Sequence, residues 1–168
     1  MSSLFVLGGA RSGKSRYAQA RAEALGIART YIATAQPFDE EMRDRIARHQ
    51  ADRETGWETI EEPIYLAEAI ATHSAPGRVL VVDCLTLWTT NLLLAEHDIA
   101  AATDKLTDAI CGASGPVILV ANEVGQGIVP DNPLARRFRD EAGVVNQRVA
   151  AVVDEAQLLT AGLPLKLK

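Results

Sequence analysis

Cysteine is nearly missing from this chain: Cys84 and Cys111 are the two among 168 residues. Two isolated thiols build neither a disulfide framework nor a cysteine metal cluster. Long apolar runs are missing too. None approaches the roughly 18 residues of a membrane-spanning helix. The N-terminus has no basic stretch followed by an apolar one, which argues against a secretory signal. Positive charge is not in excess, since 17 Lys+Arg stand against 22 Asp+Glu for a formal net charge of -5. That balance gives no support for general binding to nucleic acid or to an anionic membrane surface. Internal repeats, low-complexity tracts and linkers are absent from the sequence. What remains is one ordinary globular domain over residues 1–168, 48% hydrophobic and 23% charged. It is long enough to bury a full core, and it reads as cytoplasmic with no membrane anchor.

The stretch with the most chemistry comes almost at the start. Gly8-Gly9-Ala10-Arg11-Ser12-Gly13-Lys14-Ser15 fits the Walker A pattern of two glycines bracketing four residues, then Lys-Ser. Leu4-Phe5-Val6-Leu7 before it reads as a buried strand. After it, Ala18, Ala22 and Leu25 recur at helical spacing and Gly26 closes the segment. Strand, glycine loop and helix are the context the motif needs. Glycine lets the backbone wrap closely enough for its N–H groups to point at phosphate oxygens, and the helix N-terminus adds partial positive charge. Lys14 would reach the β- and γ-phosphates, and the Ser15 hydroxyl would face Mg²⁺. The expectation is a nucleoside triphosphate site.

Further along, Thr30 to Ala33 reads as a second buried strand. Thr34 and Gln36 follow it in a loop where open α/β sheets place ligand contacts, although such residues also serve plain turns. Asp39 to Arg53 reads as a helix with Phe38, Met42, Ile46 and His49 on its buried stripe. Arg43, Arg45, Arg48 and Arg53 crowd the rest, either as a solvated face or as an arm that neutralises phosphate. His49 in the last turn suits the helix dipole with no chemistry at all, so spacing leaves its role open. Gly56 to Glu61 reads as a strand, and Pro63 is expected to open a helix through Ile70. Val79 to Val82 ending at Asp83 is a Walker B pattern, whose carboxylate would hold Mg²⁺ directly or through water.

Leu85–Leu94 and Ile99–Ile110 read as helices, and Val117–Val120 as a strand. It runs into Asn122-Glu123-Val124-Gly125-Gln126-Gly127, a second ligand-loop candidate. Pro133 is placed at the first position of a helix of about twenty residues, with Leu134, Phe138, Ala142, Val145, Val149 and Val152 or Val153 as its stripe. Gln157 to Lys168 reads as a hairpin whose last strand has one wet face. Alternating strands and helices predict a three-layer α/β domain of the P-loop NTPase type, with a largely parallel sheet and a C-terminal hairpin.

Three reaction classes fit a Walker A and B pair: a hydrolytic switch, a small-molecule kinase and a nucleotidyltransferase. Asn122-Glu123-Val124-Gly125 stands where a Ras-type switch carries Asn-Lys-x-Asp, which argues against the first. Several strings then resemble the bifunctional adenosylcobinamide kinase / adenosylcobinamide-phosphate guanylyltransferase family of cobalamin biosynthesis. They are Gly8 to Arg16, Tyr31 to Ala35, Asp39 to Met42, Arg45 to His49 and Asp83 to Thr86. The most distinctive is Asn122 to Pro130, continued by Arg137 to Asp140, Gly143 and Asn146-Gln147.

The resemblance implies two reactions: phosphorylation of the adenosylcobinamide hydroxyl by a triphosphate, then GMP transfer from GTP to that phosphate. GTP and ATP are the co-substrates, with Mg²⁺ held by Ser15 and Asp83. The GMP would pass through a covalent intermediate on His49. Some members carry a second histidine just before it, where this chain has Arg48. A neutral imidazole, with an unperturbed pKa of about 6.5, is a competent nucleophile near neutral pH. The resemblance further implies nucleotide contacts at Gly8 through Ser15, Thr34, Ala35, Gln50, Ala51, Asp52, Arg53, Glu61 and Asp83, and a homotrimer.

The 122–130 loop with Arg136, Arg137 and Arg139 is the expected seat of the cobinamide phosphate, with a solvated helix face as the alternative for those arginines. Aromatic residues at 5% argue against an aromatic cradle for the corrin ring. The runner-up readings are a P-loop kinase for another alcohol, with His49 structural, and a regulatory NTPase.

Overall fold

A computed structural model describes residues 2–36, 40, 43–44 and 55–168. The described strands are β1 (Ser3–Gly8), β2 (Ala28–Ala33), β3 (Trp57–Glu61), β4 (Arg78–Asp83), β5 (Val117–Asn122), β6 (Glu155–Thr160) and β7 (Leu163–Lys166). The helices described over their whole length are α1 (Lys14–Glu23), α2 (Leu66–His73), α3 (Leu85–Leu94), α4 (Ile99–Cys111) and α5 (Pro133–Val152). All seven strands form one sheet in the order β3-β2-β4-β5-β1-β6-β7. Every neighbouring pair is parallel except β6 with β7. Six strands therefore end at the same edge, which carries Gly8, Ala33, Glu61, Asp83, Asn122 and Thr160.

The central strands β1, β4 and β5 are apolar nearly throughout because both faces are covered, as parallel sheets require. Alternation splits them. Leu4, Val6, Val79, Val81, Ile118 and Val120 pack with Ala18 and Ala22 of α1. Phe5, Leu7, Leu80, Val82, Leu119 and Ala121 pack with residues of the other four helices, among them Leu66, Trp88, Leu106 and Val149. Each fully buried Leu, Val or Phe contributes on the order of 1.5–3 kcal/mol relative to exposure.

Most sequence-derived bounds hold to within a residue or two, with four differences. The α2 helix starts at Leu66 rather than Pro63, because Glu62 Oε1 accepts from the N–H groups of Ile64 at 3.0 Å and Tyr65 at 2.7 Å. That turn holds residues 62–65 outside the helix. Leu25 lies past the end of α1 and is exposed rather than packed. Leu134 of the α5 stripe is exposed as well. Finally, β7 has two wet faces, since all four of its residues are exposed; it pairs only with β6, beyond the helices that cover the sheet. The expected helix over Asp39–Arg53 lies largely outside the described residues.

Candidate active site

The phosphate loop joins β1 to α1 at the centre of the carboxyl edge. Its first glycine has no alternative. A Cβ on Gly8 would lie 2.8 Å from the Leu159 carbonyl oxygen and would collide with Ser12 Oγ. At the loop's far end Gly13 takes φ 92°, a left-handed conformation that suits glycine. Lys14 Nζ donates to the Gly9 carbonyl at 3.0 Å, so its side chain arches back over the loop. The C-terminal hairpin braces this loop from the side, its turn residue Gly162 donating N–H to the Ser12 carbonyl at 2.9 Å.

Electrostatics single out the same place. The α1 N-terminus has no side-chain cap and no acidic residue in its first turn. The other described helices each have one or the other: Cys84 caps α3, Asp98 caps α4, Asn132 caps α5, and Glu68 sits in the first turn of α2. An unopposed helix N-terminus with a cradle of backbone N–H groups favours an anion. Ser12 Oγ adds to this as a buried hydroxyl with no partner among the described residues. Such groups are costly unless a ligand or a rearrangement satisfies them.

Asp83 ends β4, which β5 separates from β1. Two strand spacings put it about 10 Å across the edge from the phosphate loop. Tyr31 Oη donates to Asp83 Oδ2 at 2.9 Å. From sequence Tyr31 reads only as part of a buried strand, although period-2 alternation gives it the α1-facing side that Asp83 shares. A carboxylate accepts several hydrogen bonds or a metal, so one donor does not exhaust Asp83. The Ser15 hydroxyl and the Asp83 carboxylate are hard oxygen donors of the kind Mg²⁺ takes alongside phosphate and water. The donor set fits that ion.

Thr34 is fully buried. Its hydroxyl donates to the Cys84 carbonyl at 2.7 Å and accepts from the Cys84 N–H at 2.8 Å. Its own N–H reaches the Asp83 carbonyl at 3.3 Å, and its carbonyl accepts from Asn91 Nδ2 at 2.8 Å. Thr34 clamps the ends of β2 and β4 together and does not present its hydroxyl to the edge. Ala35 and Gln36 follow it, half-buried, and Glu61 is exposed at the end of β3. Cys84, beside Asp83, has its thiol pushed up to about 11 by burial, with the Asp83 charge a smaller cause.

The 123–130 loop stands next to the phosphate loop, tied to it where Glu123 donates its N–H to the Gly8 carbonyl at 3.1 Å. Arg139 Nη2 donates to the carbonyls of Gly125 and of Gly127, the latter at 3.1 Å. Arg136 Nη1 donates to those of Pro130 at 2.9 Å and Asp131 at 2.7 Å. Arg137 reaches Glu141 at 3.9 Å. Arg136 and Arg139 thus shape the loop, a role between the two expected for them. His49, Gln50, Ala51, Asp52 and Arg53 lie outside the described residues, and Glu40, Arg43 and Asp44 near them are exposed.

A profile of the family described as "Cobinamide kinase / cobinamide phosphate guanyltransferase" matches residues 4–167. The chain is 47% identical over 165 residues to the "Bifunctional adenosylcobalamin biosynthesis protein CobP" of Pseudomonas aeruginosa, spanning 97% of this chain and 95% of that protein. It is 43% identical over 184 residues to the "Bifunctional adenosylcobalamin biosynthesis protein CobU" of Salmonella typhimurium, spanning 98% and 99%. The CobU of Escherichia coli is 40% identical at the same coverage. Among solved structures, the flagellar accessory protein FlaH from Methanocaldococcus jannaschii superposes with a TM-score of 0.55 at 13% identity, covering 99% of this chain and 78% of that one. The P4 protein from bacteriophage phi6, in complex with ADP, gives 0.55 at 17% identity, covering 98% and 54%. At such identities these two likenesses concern the fold alone.

Proposed function

This chain belongs to the cobinamide kinase / cobinamide phosphate guanyltransferase family, and from that premise we propose how its residues divide the work. The enzyme is bifunctional: it phosphorylates adenosylcobinamide and transfers a guanylyl group to the product, in adenosylcobalamin biosynthesis. A kinase for some other alcohol, or a regulatory NTPase, is not favoured.

In this reading the loop Gly8–Ser15 seats the triphosphate for both reactions, ATP or GTP for the first and GTP for the second. The observation that carries it is the α1 N-terminus, the described helix start that has neither a side-chain cap nor an acidic first turn. Lys14 leaves the Gly9 carbonyl for the β- and γ-phosphates, where its charge offsets the charge that builds up on transfer. Ser15 and Asp83 would hold Mg²⁺, which would neutralise phosphate oxygens. Tyr31, donating to Asp83, fixes that carboxylate's orientation. Further nucleotide contacts fall to Ala35, Gln50, Ala51, Asp52, Arg53 and Glu61, while Thr34 holds the edge in shape.

His49 is the nucleophile of the second reaction. An imidazole nitrogen bonds to the α-phosphorus as pyrophosphate departs. A phosphate oxygen of adenosylcobinamide phosphate then displaces the imidazole, giving adenosylcobinamide-GDP. The protein acts as a cytoplasmic homotrimer. Exposed Leu163 and Leu165 on the open edge strand, with exposed Leu167 just past its end, support assembly, and light scattering tests it. No described helix is long and apolar enough to cross a membrane.

The central experiment mixes the protein with Mg²⁺ and GTP labelled at the α-phosphate, denatures it and looks for retained label. Acid-labile, alkali-stable label that vanishes in His49→Ala is the expected result. No label despite intact GTP binding overturns the covalent route.

A further inference from the structure

The two reactions differ in what their acceptors require. The kinase step attacks with an alcohol, whose proton must go somewhere as the new bond forms. The guanylyl step ends with attack by a phosphate oxygen, which is already an anion and needs no base. A group that serves as base in the first reaction is therefore dispensable in the second.

The carboxyl edge offers several carboxylates, and the strand order separates them. Glu61 ends β3, four strands from β1, which is roughly 19 Å at ordinary spacing. Glu62 is engaged in the turn that precedes α2. Asp83 lies two strands away on the α1 side of the sheet, suited to the metal. Glu123 follows β5, the strand paired directly with β1, and its N–H is bonded to the carbonyl of Gly8, the first residue of the phosphate loop. Glu123 is the first residue past β5. The alternation of that strand, carried one residue on, puts it on the face of Leu119 and Ala121, whereas Asp83 continues the face of Val79 and Val81. Both carboxylates thus stand on the same side of β1 along the edge, Glu123 one strand spacing away and Asp83 two, toward opposite faces of the sheet.

Glu123 is also held. Its Oε1 accepts from the Gly125 N–H at 2.7 Å, and Arg139 anchors the carbonyls of Gly125 and Gly127. Asn146 Nδ2 lies 3.5 Å from the Asn122 carbonyl just before it. The side chain is half-buried, so the carboxylate is shielded in part from water without being closed off from an acceptor. Preorganisation of this kind is what a positioned base needs.

We propose that Glu123 is the catalytic base of the kinase step. The acceptor hydroxyl lies between the Glu123 carboxylate and the γ-phosphate. Its oxygen bonds to the γ-phosphorus as the bond from that phosphorus to the β,γ-bridging oxygen breaks. The nucleoside diphosphate leaves with that electron pair, and the hydroxyl proton passes to the carboxylate, which later releases it to solvent. Glu123 takes no proton in the guanylyl transfer.

Glu123→Gln tests this, because the amide oxygen can still accept from Gly125 while the base is gone. Each reaction is assayed separately, the kinase with adenosylcobinamide and ATP, the transferase with adenosylcobinamide phosphate and GTP. The expected result is a kinase kcat reduced by about 10²-fold or more, with kinase KM for ATP and transferase kcat within about threefold of the parent protein. Glu123→Asp keeps the base but draws it back by one methylene, and should recover part of the lost kinase kcat, again with the transferase unaffected. Unchanged kinase kcat in Glu123→Gln overturns the proposal. So does an equal loss of both reactions, which would make Glu123 a shaper of the loop. If Glu123→Gln does not fold, the kinase-to-transferase ratio of Glu123→Asp decides in the same way.

Discussion

The two edges of the sheet use the same residue types to opposite ends. At the amino edge Ser3 and Asp154 bond to each other three times: the Ser3 N–H and hydroxyl reach Asp154 Oδ2 at 2.8 and 2.9 Å, and the Asp154 N–H reaches Ser3 Oγ at 3.0 Å. Ser74 Oγ accepts from the N–H groups of Ser114 and Gly115. Serine, aspartate and glycine there bond to one another, although a cavity of about 310 Å³ opens beside Ser3, Gly115 and Asp154. At the carboxyl edge the same residue types leave capacity over. Ser12 Oγ is buried without a partner among the described residues, and α1 starts without a side-chain cap. A protein edge that is not internally satisfied is prepared for something else, which the proposed function assigns to the phosphates of a nucleotide.

Glycine sharpens the contrast. Gly8 at the carboxyl edge and Gly115 at the amino edge both lack room for a Cβ, the second because it would run into the carbonyls of Ala75 and Arg78. Gly8→Ala displaces the phosphate loop, and GTP affinity should fall by at least about 100-fold, or about 2.7 kcal/mol. Gly115→Ala forces backbone apart far from the site. It should lower unfolding free energy by about 2–3 kcal/mol while GTP affinity in the folded protein stays within twofold. Calorimetric titration with GTP and chemical denaturation, run on both variants, check the pair. Loss of affinity in Gly115→Ala would erase the distinction between the edges.

Thr34 tests where structure ends and ligand binding begins. Thr34→Val removes the acceptor for the buried Cys84 N–H and the donor to its carbonyl. The expected cost is about 2 kcal/mol of stability, read by urea denaturation, with KM for GTP little changed. A large rise in KM with stability intact would return Thr34 to the nucleotide.

The smallest effect belongs to the polar strap between α1 and β6. Arg21 bonds Glu155 at 2.8 Å and Tyr17 at 2.9 Å, and Tyr17 donates to Gln157 at 2.6 Å. The Arg21 guanidinium holds the Glu155 carboxyl below its ordinary value of 4.5. A carboxylate depressed in the folded state stabilises it fully above the unfolded value. That contribution is lost as pH falls below about 4.5 through the folded value. The pair is about one-third exposed, so it supplies less than about 1 kcal/mol. Glu155→Gln should lower stability slightly at pH 7 and flatten its decline below pH 4.5, measured by denaturation at several pH values.

The parts of this enzyme that read from sequence are local ones. The phosphate loop declares itself through glycine spacing, the strands through apolar runs, and α5 through Asn132 and Pro133 at its start. What sequence did not give is pairing across long separations. Nothing in the spacing says that β5 lies between β1 and β4, so the distance of Asp83 from the phosphate loop was not legible. The same holds for Thr34 with Cys84, Tyr31 with Asp83 and Gly162 with Ser12, each a bond between residues 50 or more apart along the chain. Arg136 and Arg139 read from sequence as phosphate ligands or as a solvated helix face, because charge is visible in sequence and backbone carbonyls are not. Their partners are carbonyls of a loop 5 to 14 residues upstream.

The most direct test of the working edge is amide exchange or backbone NMR during titration with Mg²⁺ and GTP. Perturbations should concentrate on residues 8–15, on Asp83 and on residues 123–127, leaving residues 2–3, 74–78, 113–117 and 154 unchanged. Perturbations centred on Ser2, Ser3 and Asp154 instead would place the nucleotide in the cavity at the amino edge and contradict the proposed function.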